Sequence, residues 1–198
     1  AGMAYGNLGY SHHAIQDIAI LRTMPRITVL SPADPGETRS CVRWLSSNPG
    51  PSYLRIGKAG EPDLHPPVDR IDIPILIEDG GREDAIVACG SILKIALDWA
   101  NSFVSQQKPA VISIPMVKPI TAVSIQLLTQ YHRIIVLEEH VSEGGLYSAL
   151  AESLPNYIKM NRYALSDTNI HLAGSQKWLL DKSGMSENPI FTKERGFV

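Results

Sequence analysis

Apolar residues near the start of the chain recur at the three- and four-residue spacing of one helix face. This face consists of Ala14, Ile15, Ile18, Ala19 and Leu21. Ser11 is suited to cap the N-terminus of such a helix, and Pro25 closes it. The pattern therefore predicts that His12 and His13 lie in the first turn of a helix.

A strand, a helix and a second strand are predicted next. Residues 26–34 (RITVLSPAD) have the composition of a strand. Asp34 then offers a helix cap, with Pro35 at the first helical position and Glu37 at the third. The run SYLRI predicts another strand. Residues 60–74, called the connector below, carry four prolines and no periodicity, so we expect an inter-domain linker there.

From residue 75 onward, apolar runs typical of buried strands alternate with amphipathic helical stretches. Two such runs flank Asp79-Gly80-Gly81, which is a hairpin signal. The alternation predicts a three-layer α/β domain with a mostly parallel sheet over residues 75–198. Residues 1–59 supply only two clear strands, fewer than an open sheet needs to bury a core. We therefore expect an incomplete α/β domain there.

The amino-acid composition limits the kinds of partner that we expect and the compartment in which the protein works. The chain has 198 residues, 44% hydrophobic content and a formal net charge of -2, without basic runs that would suit nucleic acid. The sequence contains neither an apolar run long enough to span a membrane nor a signal-peptide pattern. Cys41 and Cys89 lie in apolar runs, which favours buried thiols in a reducing compartment. We expect a cytoplasmic protein with no nucleic-acid or membrane partner.

The adjacent histidines are the first candidates for chemistry. A helix N-terminus behind a glycine-rich loop presents free N–H groups and the positive end of the dipole, which disfavours an imidazolium. His12 is therefore predicted to be neutral, and a neutral imidazole can donate a hydrogen bond to a developing oxyanion or transfer a proton. The alternative is an exposed turn in which His12 and His13 do no chemistry.

Glu138-Glu139-His140 is a second group of polar residues that invites a functional interpretation. A metal site is conceivable from these residue types. Successive strand side chains point to opposite faces, however, which favours structural placement or a subunit contact. We predict no metal ligand in this chain.

Several motifs resemble those of the transketolase family. The early part of the chain is similar to the family's pyrimidine-binding domain through GNLGYSHHAIQD, LR..P and PADPGE. The later part looks like the family's C-terminal domain through IVACGS, SIPMVKPI, RIIVLEEHVSEGGLYSALAE and GSQKWLLDKSG, in the same order. The resemblance covers nearly the whole chain. It implies the end of a pyrimidine-binding domain at 1–59, a linker at 60–74 and a transketolase C-terminal domain at 75–198.

The resemblance implies thiamine-diphosphate chemistry, in which a two-carbon ketol unit passes from a ketose or ketose phosphate donor to an aldose acceptor. His12 matches the family histidine that reaches the donor oxygen next to the cofactor. His13 lies where the family has glutamine or histidine and is a weaker substrate-binding candidate. Lys58 matches an arginine that grips the substrate phosphate in many members, and Arg55 on the same strand end could share that task. Without the family, Arg55 and Lys58 would be interpreted as solvated surface charges.

Two departures from the family pattern limit the expected activity. Leu8 replaces an aspartate that bonds a donor hydroxyl in pentose-phosphate transketolases, so a different sugar or ketose is at least as well supported. The sequence has no counterpart of the glutamate that activates the cofactor, or of the diphosphate domain that holds its divalent metal (Mg or Ca). We therefore expect a chain that binds no cofactor and is inactive alone. It would act as a homo-oligomer, such as a dimer, or with an N-terminal partner subunit that carries the diphosphate domain.

Alternative hypotheses remain open. Deoxyxylulose-phosphate synthases and the β subunits of 2-oxo-acid dehydrogenases share this pair of domains and use pyruvate-like donors. The SHH and LR..P spacing favours a transketolase, while Leu8 weakens that preference. A non-enzyme hypothesis treats the chain as an assembly module whose C-terminal domain makes dimer contacts.

Overall fold

The computed structural model describes residues 1–104, 107–167 and 171–186, so the end of the predicted C-terminal domain, 187–198, lies outside the described residues. The helices are α1 (Asp17–Arg22), α2 (Pro35–Ser47), α3 (Leu93–Asn101), α4 (Ala122–Leu128), α5 (Leu146–Ala151) and α6 (Gln176–Lys182). The strands are β1 (Thr28–Leu30), β2 (Ser52–Leu54), β3 (Ile75–Glu78), β4 (Gly81–Ala88), β5 (Pro109–Ser113), β6 (Met116–Lys118), β7 (Arg133–Val141) and β8 (Lys159–Leu165).

The larger sheet has the strand order β3-β5-β4-β7-β8, and all its pairings are parallel except that of the edge strand β3. Alternate strand residues bury opposite faces. Ile86 and Ile135 pack with α3 and α6, whereas Val87 and Val136 pack with α4 and α5. The predicted α/β fold with a mostly parallel, doubly covered sheet is therefore confirmed.

The smaller sheet draws on both parts of the chain. Its order is β2-β1-β6, with β1 parallel to β2 and antiparallel to β6. Val29 pairs with Lys118 and Leu30 with Met116, so the third strand comes from beyond residue 75. Sequence analysis did not predict β6. This strand extends the smaller sheet beyond the two strands that residues 1–59 supply.

The predicted hairpin at Asp79-Gly80-Gly81 is wrong. β3 and β4 do not pair, because β5 lies between them and is hydrogen bonded to both. The chain crosses the start of β5 at Gly80, where a Cβ atom would lie 2.2 Å from the Lys108 carbonyl oxygen. Glycine is required there by this close approach rather than by a two-residue turn.

The start of α2 follows the sequence prediction. The Asp34 side chain accepts a hydrogen bond from the Glu37 amide at 2.7 Å, and Pro35 occupies the first helical position. The Glu37 carboxylate in turn accepts from the Ala33 amide at 2.6 Å. The first bond satisfies an amide that a helix start leaves unpaired, and the second fixes the residue before the cap.

Arg55, directly after β2, ties the two sheets together. Its side chain is 4% exposed, and its Nε donates to Asp17 Oδ2 at 2.8 Å. Nη2 donates to the carbonyls of Ala14, at 2.8 Å, and Glu139, at 3.0 Å. Burial by itself lowers the pKa of Arg55, but the charge of Asp17 and its hydrogen bond outweigh burial and leave the pKa raised. The Tyr53 hydroxyl also donates to Asp17 Oδ2, at 2.8 Å.

The end of β7 buries three ionisable side chains, Glu138, Glu139 and His140. Burial raises the pKa of Glu138 to about 7, although its carboxylate accepts from the Leu146 amide at 2.6 Å and the Tyr147 amide at 3.4 Å. Burial also lowers the pKa of His140. Its Nδ1 donates to the Val141 carbonyl at 2.8 Å, and its Nε2 accepts from the Ala19 amide at 3.3 Å. These bonds fit one neutral tautomer of His140 and give Glu138 and His140 hydrogen-bond partners within the fold.

We predict that Arg55→Met lowers the free energy of unfolding by about 3–5 kcal/mol, because it leaves the Asp17 carboxylate, which is only 13% exposed, without its counter-charge. Arg55→Lys should lose less, since it keeps the charge but not the bonds to both carbonyls. Urea unfolding measures both variants. The matched control is Arg39→Met, at an arginine whose side chain is 59% exposed, with an expected change within about 0.5 kcal/mol. Equal stability of Arg55→Met and Arg39→Met would contradict the role of Arg55 in holding the two sheets together.

We also predict that Glu138 makes the chain less stable as the pH rises. Its folded pKa is raised above the usual 4.5 to about 7, so its stabilising contribution is lost as the pH climbs through that range. Glu138→Gln cannot ionise, so its stability relative to wild type should increase between about pH 5 and about pH 8. Urea unfolding at both values tests this, with Glu143→Gln, on the surface, as the control. A constant difference for Glu138→Gln would refute the prediction.

Candidate functional site

The segment that carries the two histidines is a closed loop, called the histidine loop below and defined as residues 2–14. The backbones of Gly2 and Ala14 exchange two hydrogen bonds of 2.9 Å each, which close it. Inside the loop lie two short 3-10 helices, Gly6–Leu8 and Tyr10–His12. Gly9 joins them with φ +75°, a left-handed conformation that suits glycine.

The prediction that His12 and His13 open an α-helix is wrong. His12 ends a 3-10 turn, His13 is extended, and α1 begins only at Asp17. The carbonyl of Ala14 is bonded to the Gly2 amide, and that of Ile15 accepts from the Val141 amide at 2.8 Å. Because these tertiary bonds replace helical ones, the helix-dipole argument for a neutral His12 has no basis in the structure.

The two histidines have different surroundings. His12 is exposed, and its Nδ1 lies 3.0 Å from the Ser11 hydroxyl. His13 is half-buried and stands edge-on to Tyr10 at 6.4 Å between ring centroids. Both ring nitrogens of His13 are buried without a hydrogen-bond partner among the described residues. His12 is therefore the imidazole that can meet a molecule arriving from solvent.

The histidine loop is held against the larger sheet and α6. Glu139, 4% exposed, accepts from the Met3 amide at 2.7 Å and from Gln176 Nε2 at 3.0 Å. At Gly6 a Cβ atom would lie 2.6 Å from the Gly174 backbone carbonyl oxygen, so this close approach requires glycine. The loop is therefore fixed to its surroundings at several points.

The structure separates the two predicted phosphate-binding cations. Arg55 is turned inward and bonded to Asp17 and to two carbonyls, so its predicted role as a substrate ligand is replaced by a structural one. Lys58 is exposed, and its ammonium lies 5.9 Å from the centroid of the Tyr5 ring. This contact brings Lys58 beside the histidine loop, at a cleft of about 410 Å³ that Arg39 and Glu61 also line.

The histidine loop also carries an exposed apolar surface, called the loop face below and formed by Tyr5, Leu8 and Tyr10. These side chains are 48%, 57% and 54% exposed respectively. Exposed large apolar side chains in a group indicate a surface that contacts another molecule. They belong to the same segment that carries His12.

Sequence analysis assigned no role to Asp17, and it considered Glu139 without identifying its partner. Asp17 holds Arg55, and Glu139 holds the histidine loop. Asp17 had a local signal, because it is an acid at the start of α1. The bond between Glu139 and Met3 spans 136 residues and has no local signature.

Metal-binding groups and membrane spans are both absent from the part of the chain that the structure describes. No three His, Cys, Asp or Glu side chains come together in an arrangement suited to a metal ion within residues 1–104, 107–167 and 171–186. In those same ranges, no helix is long and apolar enough to cross a membrane.

Comparison with known proteins agrees with this organisation. Residues 1–60 match the transketolase pyrimidine-binding domain, and residues 75–190 match the transketolase C-terminal domain. The chain is 29% identical to one subunit of the apulose-4-phosphate transketolase of Phocaeicola vulgatus, over 96% of this chain and 64% of that protein. It is 31% identical to 1-deoxy-D-xylulose-5-phosphate synthase of Dictyoglomus turgidum, over 93% of this chain and 31% of that protein.

A solved structure described as a split gene transketolase, an inactive beta4 tetramer, superposes with a TM-score of 0.81 and 28% identity. The superposition covers 94% of this chain and 63% of that one. The chain thus spans less than two thirds of the length of the apulose-4-phosphate transketolase subunit and of this structure. The chain matches both domains of the family in the family's order, and it shares its fold with a solved transketolase over nearly all of its own length. The chain therefore belongs to the transketolase family.

Proposed function

We propose that the chain is the pyrimidine-binding and C-terminal portion of a thiamine-diphosphate-dependent enzyme that transfers a two-carbon ketol unit from a ketose, or ketose phosphate, to an aldose. The observation that carries this proposal is the exposed His12 imidazole on a loop fastened by Arg55 and Glu139. An exposed group on a rigid support is what substrate positioning requires. The domains would be 1–59 and 75–198, joined by the connector.

The residues of the histidine loop fit the neighbourhood of such a cofactor. Its apolar side chains, Leu8 and Tyr10, lie exposed beside an exposed imidazole, and the buried nitrogens of His13 have no partner among the described residues. When bound, thiamine diphosphate supplies the carbanion and the electron sink of the reaction. We assign to His12 the hydrogen bond to the donor's hydroxyl or carbonyl oxygen, and the movement of a proton at that oxygen.

Substrate recognition is assigned to the cleft beside the loop. Lys58 is exposed there and is suited to a phosphate as a point charge. Leu8 cannot bond a donor hydroxyl, which favours a donor other than the common pentose phosphates. The similarity to a deoxyxylulose-phosphate synthase keeps a pyruvate-like donor as the second candidate.

The diphosphate and the divalent metal, Mg or Ca, would be held by another part of the enzyme. The apulose-4-phosphate transketolase relative is named as one subunit of its enzyme, which supports a separate partner subunit here, and we propose that this partner covers the loop face. A dimer or larger homo-oligomer would complete the assembly. Two buried free thiols, Cys41 and Cys89, each with a pKa raised to about 12 chiefly by burial, support a cytoplasmic location.

His12→Ala in the assembled enzyme is predicted to lower kcat by about 10²–10⁴-fold, because general acid-base groups contribute that much. Steady-state kinetics with a panel of ketose phosphates and pyruvate would measure the loss and identify the donor. His132→Ala, at an exposed histidine between α4 and β7, is the control and should leave kcat unchanged. Unchanged turnover for His12→Ala would eliminate the catalytic role.

Assembly with the partner is predicted to depend on the loop face. Tyr10→Glu places a charge on a surface that would lose its water in the complex, so association should weaken by at least about tenfold. Sedimentation velocity of the mixed subunits measures this. The control is Tyr157→Glu, at a tyrosine that is 73% exposed and lies before β8. Equal association of both variants would show that the partner binds elsewhere.

A further inference from the structure

The connector is packed against α2 rather than loose. The Leu64 amide donates to Asp34 Oδ2 at 3.0 Å, and the Ser40 hydroxyl donates to the Val68 carbonyl. Ile71 is 1% exposed and belongs to a buried apolar cluster between the smaller sheet and α2. The proline-rich connector is therefore a segment with fixed attachments, not a free linker.

One attachment is a buried histidine with two hydrogen-bond acceptors. The His65 side chain is 4% exposed. Its Nδ1 lies 2.8 Å from the Pro66 carbonyl oxygen, and its Nε2 lies 3.1 Å from Glu37 Oε1. A carbonyl and an ionised carboxylate can only accept, whereas a neutral imidazole has a single N–H. Both bonds form together only when the ring carries a second proton.

The acids that face His65 are held in place by the cap of α2. Asp34 Oδ1 and Glu37 Oε2 accept from backbone amides of that cap. The remaining oxygens, Asp34 Oδ2 at 3.6 Å and Glu37 Oε1, point at the imidazole, and both acidic side chains are fully buried. The next charged pair, Arg39 with Asp63 at 3.9 Å, is exposed on the outside. The cap thus presents two carboxylates to one ring.

The electrostatics agree with this geometry. The hydrogen bond from His65 to Glu37 raises the pKa of His65, burial lowers it, and the Pro66 carbonyl and the charges of Glu37 and Asp34 raise it further. The net pKa of His65 lies above its usual 6.5. A raised folded pKa means that the stabilisation is complete below about 6.5 and is lost as the pH rises through the folded value.

We propose that His65 is a proton-operated clasp, in which the imidazolium fastens the connector to the start of α2 and loss of one proton releases it. The connector begins at Gly60 and Glu61, which line the same cleft as Lys58. Opening the clasp would loosen one wall of that cleft. The inference rests on the bonds of His65 alone and does not depend on the proposed transferase activity.

The Leu64 amide, next to His65 in the chain and bonded to Asp34, reports whether the connector stays attached to the start of α2. We would measure its exchange protection by NMR in the full chain from about pH 5.5 to about pH 8.5, corrected for intrinsic exchange, and titrate the His65 ring signals in the same samples. We expect the His65 ring to titrate with a midpoint above pH 6.5. For each pH unit by which this midpoint exceeds 6.5, the Leu64 protection factor should fall by about tenfold across the titration. A midpoint at or below 6.5, or protection independent of pH, would overturn the proposal.

Two variants separate the clasp from a general effect of pH. In Glu37→Gln the amide group can donate to Nε2 of a neutral ring, so the connector should stay protected without the pH dependence. His132→Gln, at an exposed histidine, should retain the wild-type pH dependence. Protection that still varies with pH in Glu37→Gln would exclude the bond between His65 and Glu37 as its source.

Discussion

The arrangement of this chain depends on one buried guanidinium. Arg55 follows β2 in the smaller sheet, pairs with Asp17 at the start of α1, and reaches the carbonyl of Glu139 in the larger sheet. Its bond to the Ala14 carbonyl also fixes the closing point of the histidine loop. Because a buried charge is tolerable only when it is paired and hydrogen bonded, these contacts must form together. The same residue therefore joins the sheets and supports the exposed His12.

The two family domains are consequently not independent bodies in this chain. β6, from the part that matches the C-terminal domain, completes the sheet begun by β1 and β2. The end of β7 bonds to Ile15, and Glu139 bonds to Met3, so the histidine loop rests on the later part of the chain. This dependence explains how a loop near the first residue is held in place by groups far along the chain.

Acidic side chains in this protein commonly serve two attachments at once. Asp34 and Glu37 cap α2 with one oxygen each and hold the connector with the other. Asp17 accepts from both Arg55 and Tyr53, and this second bond, after burial, helps to raise the pKa of Tyr53 to about 12. Shared acceptors of this kind couple neighbouring segments, because one substitution removes two contacts.

Features that depend on neighbouring residues could be predicted from the amino-acid sequence. The cap of α2, the alternation that yields a doubly covered parallel sheet, and the motifs of the transketolase family all have signals that lie within a few residues of one another. The late start of α1 at Asp17, the position of β5 between β3 and β4, and the inward direction of Arg55 emerged only from the folded chain. In each case the partners are backbone or charged groups far away in the chain. A polar group that folding buries pairs with whichever partner the fold brings near it. The residues next to it in the sequence therefore do not reveal that partner.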